Sequence, residues 1–503
     1  MLDYRVPLQP HIKYKNYLLK KAISSNGTSS KLPPGPKKLP IIGNILNMVS
    51  KDTPHAVLRN MAQKYGPLMH LQLGEVSAIV VSSPKVAKEF IVKNDVAFAD
   101  RPEILTAKII MYNCSDIAFA PYGSYWRQLR KICTLELLTN KKVQSFGYIR
   151  EEEVKFLIGS MIKKSSSGSI INLTEMVTML INTVTSKAAF GRLPKDQDLL
   201  VQGVQDMVDL GGGFSLADLF PSIGFLKVLT GMSYKVGKIH KSLDKILDKI
   251  LGEYEKELEI KKVGNDENEN FLDILYRLKD SGNLDSPIST DNIKAVILDV
   301  FSAGTDTSAS TVEWAMAELL RNPEVLRKAQ DEVRQVLKVK DLVQEDGDLS
   351  ELKYLKLVIK ETLRLHPIFP LLLPRECRES CEIDGYMIPL KTKVIVNAWA
   401  LGRDPEYWNE PERFQPERFD NTSIDYSGNS LEYLPFGAGR RRCPGTFFAL
   451  SNIELILSHL LYHFDWEIAG GVKPQDLDMN ETIGAVCRRK MDLKLIATPY
   501  TPI

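Results

Sequence analysis

The amino-acid sequence predicts a mainly α-helical fold with small β-sheets, of the α+β class. Apolar residues recur at helical spacing through most of the chain between about residues 120 and 330. Short runs of β-branched and aromatic residues, bounded by turn residues, occur at residues 68–83 and about 382–400. We find no internal repeat at a period of about 20 to 50 residues, and no clear linker divides the chain after residue 40.

The composition is that of an ordinary globular protein. Of 503 residues, 44% are hydrophobic and 25% are charged, which excludes a disordered or collagenous chain. The 65 basic residues nearly balance the 63 acidic ones, so no nucleic-acid partner is expected. Six cysteines without a C-x-x-C pair are too few for a disulfide scaffold and give no zinc-ribbon pattern.

The first forty residues are basic. They carry Arg5 and seven lysines against one acid, Asp3, and contain no apolar run near the roughly 18 residues of a membrane span. Residues 1–31 are therefore predicted to be a basic segment that either lies on an anionic membrane surface or forms a free tail. The proline-rich residues 32–40 predict a stiff, extended hinge before the folded domain.

The first predicted elements are a hairpin and a long helix. The hairpin covers Leu68–Ser83 and turns at its Gly-Glu pair. Residues 252–270 are dense in Lys, Glu and Asn, which is typical of a solvated loop between helices. The long helix is predicted to be capped by Thr290 or Asp291 and to run to about Arg321, where an Asn-Pro pair ends it.

The remaining elements are shorter. Residues 323–338 and 351–365 are predicted helices, and the runs IDGYMIP and KVIVNAWA between 382 and about 400 are predicted strands. Residues 444–462 predict an apolar helix.

The segment FGAGRRRCPG at residues 436–445 carries the clearest chemistry. Cys443 follows a glycine-rich loop and precedes the apolar helix, so the helix dipole and the nearby arginines are expected to favour its thiolate form. Gly439 and Gly445 would let the backbone approach a flat cofactor. A single soft ligand without a neighbouring Cys or His suits a haem, which brings its other in-plane ligands itself.

This segment matches the pattern F-x-x-G-x-R-x-C-x-G at all of its fixed positions, so the chain resembles the cytochrome P450 family over about residues 32–500. The resemblance implies the cytochrome P450 fold, with a single catalytic domain at residues 32–503 around one haem b. Cys443 is the implied axial ligand of the haem iron, and Phe436 and Gly439 are implied to bind the cofactor.

The residues ETLR at 361–364 match the E-x-x-R pattern of the family. An i,i+3 pair of Glu and Arg is by itself commonplace on helix surfaces. The resemblance implies instead that Glu361 and Arg364 are buried and joined by Arg418 of the segment FQPERF. Their implied role is structural.

The residues AGTDTS at 303–308 interrupt the apolar pattern of the long helix with a glycine and polar side chains. They resemble the A-G-x-D/E-T motif of the family, where the helix unwinds locally to make an oxygen pocket. Thr307 is implied to stabilise bound oxygen, and Asp306 to help deliver protons. The bland alternative is a patch of small residues in a buried helix.

Trp126 and Arg130 lie at i,i+4 and match the W-x-x-x-R pattern of the family, whose members hold a haem propionate with it. Arg375 and Arg441 are the other implied propionate partners, because buried carboxylates need such donors. The alternative for Trp126 and Arg130 is a cation–π pair on a surface helix.

The implied activity is a haem-thiolate monooxygenase that uses O2 and takes electrons from NADPH through NADPH-cytochrome P450 reductase, with cytochrome b5 as a further candidate partner. The arginines at 440–442 either form a basic patch for the reductase or neutralise propionates. Two rivals remain open: an isomerase or dehydratase on the same fold, and a haem-binding sensor or carrier without turnover.

The motifs are most similar to those of plant microsomal members that oxidise terpenoids, so the expected substrate is an apolar sesquiterpenoid or diterpenoid. Alkaloids and phenylpropanoids are the alternatives, since their oxidases share the scaffold. The expected pocket residues are mostly aliphatic. They are Ala107, Ile110, Val300, Ala303, Ile368, Leu372 and Ile483.

Plant members usually begin with an apolar anchor helix before the hinge, and the sequence shows none. The expected location is the cytosolic face of the endoplasmic reticulum membrane. Either the attachment is peripheral or the sequence is truncated or incomplete at this end.

Overall fold

A computed structural model of the chain describes residues 31–212, 214–260, 269–337, 348–482 and 484–501. The basic segment expected at residues 1–31 therefore lies outside the described residues, apart from its last residue. In the described part the chain is mainly helical with three small sheets, as the sequence predicts. None of the helices in these ranges is long and apolar enough to span a membrane.

The helices are numbered here in chain order. They are α1 (Pro54–Tyr65), α2 (Pro84–Lys88), α3 (Leu105–Ile110), α4 (Ser124–Ile132), α5 (Asn140–Ser145), α6 (Gly147–Ser166), α7 (Leu173–Phe190), α8 (Gln197–Leu210), α9 (Leu216–Leu219), α10 (Leu226–Leu229), α11 (Met232–Ile260), α12 (Phe271–Asp280), α13 (Thr290–Arg321), α14 (Pro323–Leu337), α15 (Asp348–Glu351), α16 (Lys353–Leu365), α17 (Ala398–Leu401) and α18 (Thr446–His463).

The strands form sheets of four, three and two strands. They are β1 (Leu68–Leu73), β2 (Val76–Val81), β3 (Ile171–Asn172), β4 (Arg375–Glu376), β5 (Cys381–Ile383), β6 (Tyr386–Ile388), β7 (Lys393–Val396), β8 (Phe464–Ile468) and β9 (Lys494–Pro499). The four-stranded sheet has the order β1-β2-β7-β4, the three-stranded sheet the order β3-β9-β8, and β5 pairs with β6.

The predicted hairpin at residues 68–83 is confirmed. Strands β1 and β2 pair antiparallel with Leu68 opposite Val81 and Leu73 opposite Val76. Gly74 makes the turn with a φ of 61°, a left-handed conformation that glycine adopts without strain. Strand β7 then adds in parallel to β2, so this sheet joins the beginning of the domain to its second half.

Helix α13 is the centre of the helical part. It packs most extensively against α7 and α18, and most of its side chains are buried. Its length agrees with the prediction, but the cap is Ser289, which accepts a hydrogen bond from the backbone N of Asn292 in a reciprocal capping box. The predicted caps Thr290 and Asp291 are therefore wrong by one residue or two.

Two other local predictions are wrong. Helix α11 continues to Ile260, so the first half of the loop predicted at residues 252–270 is helical, and residues 261–268 lie outside the described part. The strand predicted for KVIVNAWA ends at Val396. Asn397 accepts a hydrogen bond from the backbone N of Ala400 and starts helix α17, because an asparagine side chain that caps a helix competes with strand pairing.

A buried ionic cluster joins α16 to the chain that follows α17. The carboxylate of Glu361 accepts hydrogen bonds from Arg364 Nε and Nη2, at 2.7 and 2.9 Å, and from Arg418 Nε at 2.9 Å. Arg364 also donates to the carbonyls of Gly402 and Pro411. The side chains of Glu361 and Arg364 are fully buried, so each charge depends on the others for compensation.

We expect Glu361→Gln to lower the free energy of unfolding by about 3–5 kcal/mol, because two buried guanidinium groups would lose their counter-charge. Denaturant unfolding followed by circular dichroism measures this. Glu410→Gln is the matched control: Glu410 and Arg413 also form an i,i+3 pair, but an exposed one, and its loss should cost about 0.5 kcal/mol or less. Equal effects in the two variants would contradict a structural role for the cluster.

Candidate haem and substrate cavity

A cavity of about 250 Å³ lies between the middle of α13 and the loop that precedes α18. Residues 117–118, 368–369 and 372–373 close its other sides. Most of the candidates named from the sequence meet here. They are Trp126, Arg130, Val300, Ala303, Thr307, Ile368, Leu372, Arg375, Phe436, Arg441 and Cys443.

Five candidates are not placed on the cavity wall. Ala107 and Ile110 are buried in α3 but do not line the cavity, and Ile483 lies outside the described residues. Asp306 and Gly439 also do not line the cavity. The wall further includes Arg101, Asp299 and Phe369, which the sequence analysis did not single out because no motif marks them.

The loop that carries Cys443 is a tight turn before α18. The backbone N of Cys443 donates to the carbonyl of Phe436 at 2.9 Å. Gly439 has a φ of 64°, and a Cβ atom there would lie 2.7 Å from Asp95 Oδ1. The backbone conformation and the closeness of Asp95 therefore explain why glycine is needed at this position. The sequence analysis had given a different reason, the close approach of the backbone to a flat cofactor.

The thiol of Cys443 faces the cavity, and burial raises its pKa above the ordinary value. The backbone N–H of Gly445 and the charges of Arg130 and Arg442 lower this pKa, but burial has the larger effect. The expected directions are thus confirmed for the helix end and for the arginines, but neither outweighs the effect of burial. A thiolate here needs a directly bound cation, which a metal centre supplies.

Five arginines line the cavity, and the charges of four of them act on one another: Arg101, Arg130, Arg375 and Arg441. The fifth is Arg442. Burial lowers the pKa of all four, and the charges of Arg441 and Arg375 lower that of Arg101 further. Arg375 contacts Asp95 at 2.7 Å, which compensates one of the charges. The set therefore retains a positive excess that fits a ligand with two carboxylates, such as a haem with its propionates.

The arginines differ in what holds them. Arg441 donates to the carbonyls of Ala99 and Ala120, at 2.7 and 2.6 Å, and Arg101 donates to that of Ala118 at 2.9 Å. Within the described residues, Arg130 makes no such hydrogen bond. Its guanidinium group is therefore the one most available to a bound anion.

Trp126 is buried, which argues against the alternative of a surface pair with Arg130. Its Nε1 donates to the carbonyl of Ile117 at 3.0 Å. The guanidinium of Arg441 lies 4.4 Å from the centre of the indole ring. In this arrangement Trp126 orients Arg441, and its N–H is occupied by the backbone.

Helix α13 is helical without a break from Thr290 to Arg321, so the local unwinding expected at residues 303–308 is not found. The polar side chains are accommodated by hydrogen bonds back to the preceding turn. Thr305 Oγ1 donates to the carbonyl of Phe301 and Thr307 Oγ1 to that of Ala303, at 2.7 and 2.6 Å. This bonding satisfies both threonine hydroxyl groups inside an intact helix, whereas the buried Ser308 Oγ has no hydrogen-bond partner in the described residues.

Thr307 and Asp306 lie on different sides of α13. Thr307 lines the cavity, whereas Asp306 forms an ion pair with Arg488 at 2.5 Å. Burial raises the pKa of Asp306, and the charge of Arg488 lowers it. Arg488 also contacts the exposed Asp209 at 3.3 Å, so these charged groups lead from the helix to the surface.

Comparison with known proteins agrees with this site. The family model for cytochrome P450 matches residues 33–495. The chain belongs to the cytochrome P450 family and has its fold. A zebrafish cytochrome P450 solved with progesterone superposes with a TM-score of 0.76 at 24% identity, covering 89% of this chain and all of that chain.

Several curated relatives are about half identical over nearly their whole length. Premnaspirodiene oxygenase of Hyoscyamus muticus is 54% identical, covering 97% of this chain and 96% of its own. The 5-epiaristolochene 1,3-dihydroxylase of Nicotiana tabacum is 52% identical, covering 97% of this chain and 96% of its own. The desmethyl-deoxy-podophyllotoxin synthase of Sinopodophyllum hexandrum is 51% identical, covering 96% of this chain and 94% of its own.

The protein is thus a monooxygenase that uses haem b and O2 and takes electrons from NADPH through a reductase. The residues present fit the haem: the cavity offers one buried thiol, an excess of arginine charge and apolar walls. Bound haem supplies the oxygen-activating chemistry. Cys443 is the residue that would hold the iron, and the arginine set would hold the propionates.

We expect Arg130→Gln to release haem about tenfold faster, because a charge-assisted hydrogen bond to a propionate is lost. Haem transfer to apomyoglobin measures the rate. Arg127→Gln is the control, since Arg127 is exposed on the same helix. Because Arg130 makes no hydrogen bond in the described structure, the melting temperature of the apoprotein should stay unchanged. Equal haem release in both variants would contradict the assignment.

Proposed function

We propose that this monooxygenase oxidises an apolar terpenoid, a sesquiterpenoid or a diterpenoid. The observation that carries the proposal is the cavity wall away from the arginines. It is formed by Val300, Ala303, Ile368, Phe369 and Leu372. Such a wall favours a hydrocarbon skeleton and offers no partner to a sugar or an acid.

The relatives support the same substrate class, though not all of them. Two of the relatives described above are named for the oxidation of premnaspirodiene and 5-epiaristolochene. The third is named for a podophyllotoxin, at almost the same identity. Sequence identity therefore does not separate a terpenoid from a phenylpropanoid substrate, and the chemistry of the cavity wall favours the terpenoid.

The substrate class is tested with microsomes that contain this protein and NADPH-cytochrome P450 reductase. They are incubated with a panel of sesquiterpene and diterpene hydrocarbons, an alkaloid set and a phenylpropanoid set. Mass spectrometry should show an NADPH-dependent gain of one oxygen atom on a terpene. Turnover confined to the alkaloid or phenylpropanoid set would overturn the proposal.

We assign Cys443 as the haem ligand and Thr307 as the residue whose Oγ1 passes protons into the cavity. The position of Thr307 supports its assignment, because its side chain carries the hydroxyl group of the AGTDTS segment that lines the cavity. Asp306 is assigned to proton supply. Burial raises the pKa of this carboxyl group, which favours a form that carries a proton, and its ion pair with Arg488 places it near Asp209 at the surface.

The electron donor is assigned to the face beside the Cys443 loop. Arg127, Arg378 and Arg440 surround the ring of Tyr122, each within about 6 Å of its centre. Arg440 is half-exposed and does not line the cavity. It lies 3.6 Å from Asp95, which Arg375 also contacts, so the two arginines and one carboxylate together keep a positive charge that suits an acidic flavoprotein reductase. Cytochrome b5 would use the same basic surface.

The membrane is assigned to an exposed apolar surface built from two segments. Ile41 and Val49 are exposed near the hinge, and Phe225, Val228 and Leu229 are exposed at α10. The two segments share one hydrophobic cluster, so they lie together. An exposed apolar area of this kind fits attachment to the cytosolic face of the endoplasmic reticulum membrane.

We expect Thr307→Ala to lower the product formed per NADPH oxidised several-fold, because proton transfer in the cavity is impaired while substrate still binds. Product and NADPH are measured in the same incubation. Thr305→Ala is the matched control: it loses the same kind of hydrogen bond to the preceding turn, but Thr305 does not line the cavity. Unchanged coupling in Thr307→Ala would contradict its role.

A further inference from the structure

The short segment at residues 116–120 forms part of the cavity wall and is held mainly by hydrogen bonds. The carboxylate oxygen Oδ2 of Asp299, on α13, accepts from the backbone N of Ile117 at 2.6 Å and of Ala118 at 3.1 Å. Asp116 Oδ2 accepts from the backbone N of Phe119 at 3.0 Å. Three consecutive amide groups of the segment are therefore satisfied by two aspartates.

The carbonyl groups of the same segment accept from residues of the haem side. The carbonyl of Ile117 accepts from Trp126 Nε1 and from Arg441 Nη1, at 3.0 and 3.2 Å. The carbonyl of Ala118 accepts from Arg101 Nε at 2.9 Å. A shift of this segment would therefore move both the apolar wall and three residues of the haem side.

The chain that leads into the segment is strained. Tyr112, Asn113 and Cys114 follow one another with φ values of 48°, 63° and 58°. Left-handed conformations of residues other than glycine cost on the order of 1 kcal/mol each or more. The position of the segment is thus not set by local backbone preference, and it depends on its hydrogen bonds to Asp116 and Asp299.

The two aspartates meet at this segment, because Asp299 holds the amides of residues 117 and 118 and Asp116 holds the next amide, and each carboxyl group shifts the pKa of the other. Asp116 has no exposed surface, and its Oδ1 has no hydrogen-bond partner in the described structure. Two carboxylates facing each other away from water cannot both keep a negative charge. A proton on Asp116 Oδ1 would supply the missing bond and point at Asp299.

We propose that Asp116 and Asp299 share one proton and together hold residues 117–118 in place, which makes them positioning residues that determine the shape of the substrate cavity. The inference does not depend on which substrate the enzyme oxidises. Burial raises the pKa of both carboxyl groups, and the charge of Asp299 raises that of Asp116 further, which favours a proton shared between them.

The test is a set of Asp→Asn variants of the haem-loaded protein. In Asp116→Asn, the amide Nδ2 donates to Asp299 in place of the shared proton. In Asp299→Asn, the amide oxygen accepts from the backbone of residues 117 and 118, and Nδ2 donates to Asp116. In the double variant two donor groups face each other. Single variants should therefore behave like the wild type, and the double variant should not.

Two measurements follow the segment. Hydrogen exchange of peptides covering residues 116–120 reports its amide protection, and an absorbance titration with 4-phenylimidazole reports binding in the cavity. We expect the single variants to stay near wild type and the double variant to lose about tenfold in both, well beyond the sum of the single effects. Asp206→Asn, an exposed site on α8, is the control.

A loss of about tenfold in either single variant would overturn the proposal, as would a double variant that equals the sum of the singles. If the double variant does not retain haem, pH decides. A raised pKa stabilises these hydrogen bonds at low pH, so wild-type protection should fall as the pH rises through the raised pKa of the pair and the shared proton leaves. Asp116→Asn should keep its protection, and an equal pH response in both proteins would overturn the proposal.

The other titratable groups around the two aspartates do not account for a difference in pH response between the wild type and Asp116→Asn. Arg101 and Arg441 face Asp116, and Tyr125, Cys114 and Cys133 face the pair from the neighbouring segments. Burial raises the pKa of the tyrosine and of both thiols, that of Cys114 to about 12. The tyrosine and the two thiols therefore stay neutral over the range of the test, and all five groups are present in both proteins.

Discussion

Excess positive charge in a buried cavity is the constraint on which the rest of this structure depends. Arg101, Arg130 and Arg441 are held together with a buried thiol, although burial opposes both the charge of an arginine and that of a thiolate. Haem would resolve both conflicts, since its iron would compensate the thiolate and its propionates would compensate the arginines. The protein part of the site is thus electrostatically incomplete by itself, which gives the cofactor a large share in stabilising the fold around it.

Helix α13 shapes the cavity because its different faces carry different side chains. Val300, Ala303 and Thr307 are spaced by three and four residues and share the cavity face, with Asp299 at its edge. Asp306 is one residue from Thr307, a rotation of about 100° around the helix, and it pairs with Arg488 instead. An intact helix thereby keeps a charged carboxylate off the apolar face of the cavity.

The sequence analysis succeeded where a residue is required by chemistry or by tight geometry. The Cys443 loop, the Glu361–Arg364 pair with Arg418, and the hairpin at 68–83 were all placed from short patterns. It failed where two local preferences compete. The Asn397 cap ended a strand that β-branched residues favoured, and Ser289 capped α13 in place of the neighbouring Thr290 or Asp291.

By itself the sequence determined the class of fold, the order of the motifs, the candidate for the haem ligand and part of the cavity wall, because these depend on residue type and on spacing along one element. Only the tertiary structure decided which side chains face one another. Arg101 joined the propionate set, Asp306 turned to Arg488, and Asp116 met Asp299, a partner 183 positions further along the chain. Such pairings arise from the packing of distant segments, and no local pattern records them.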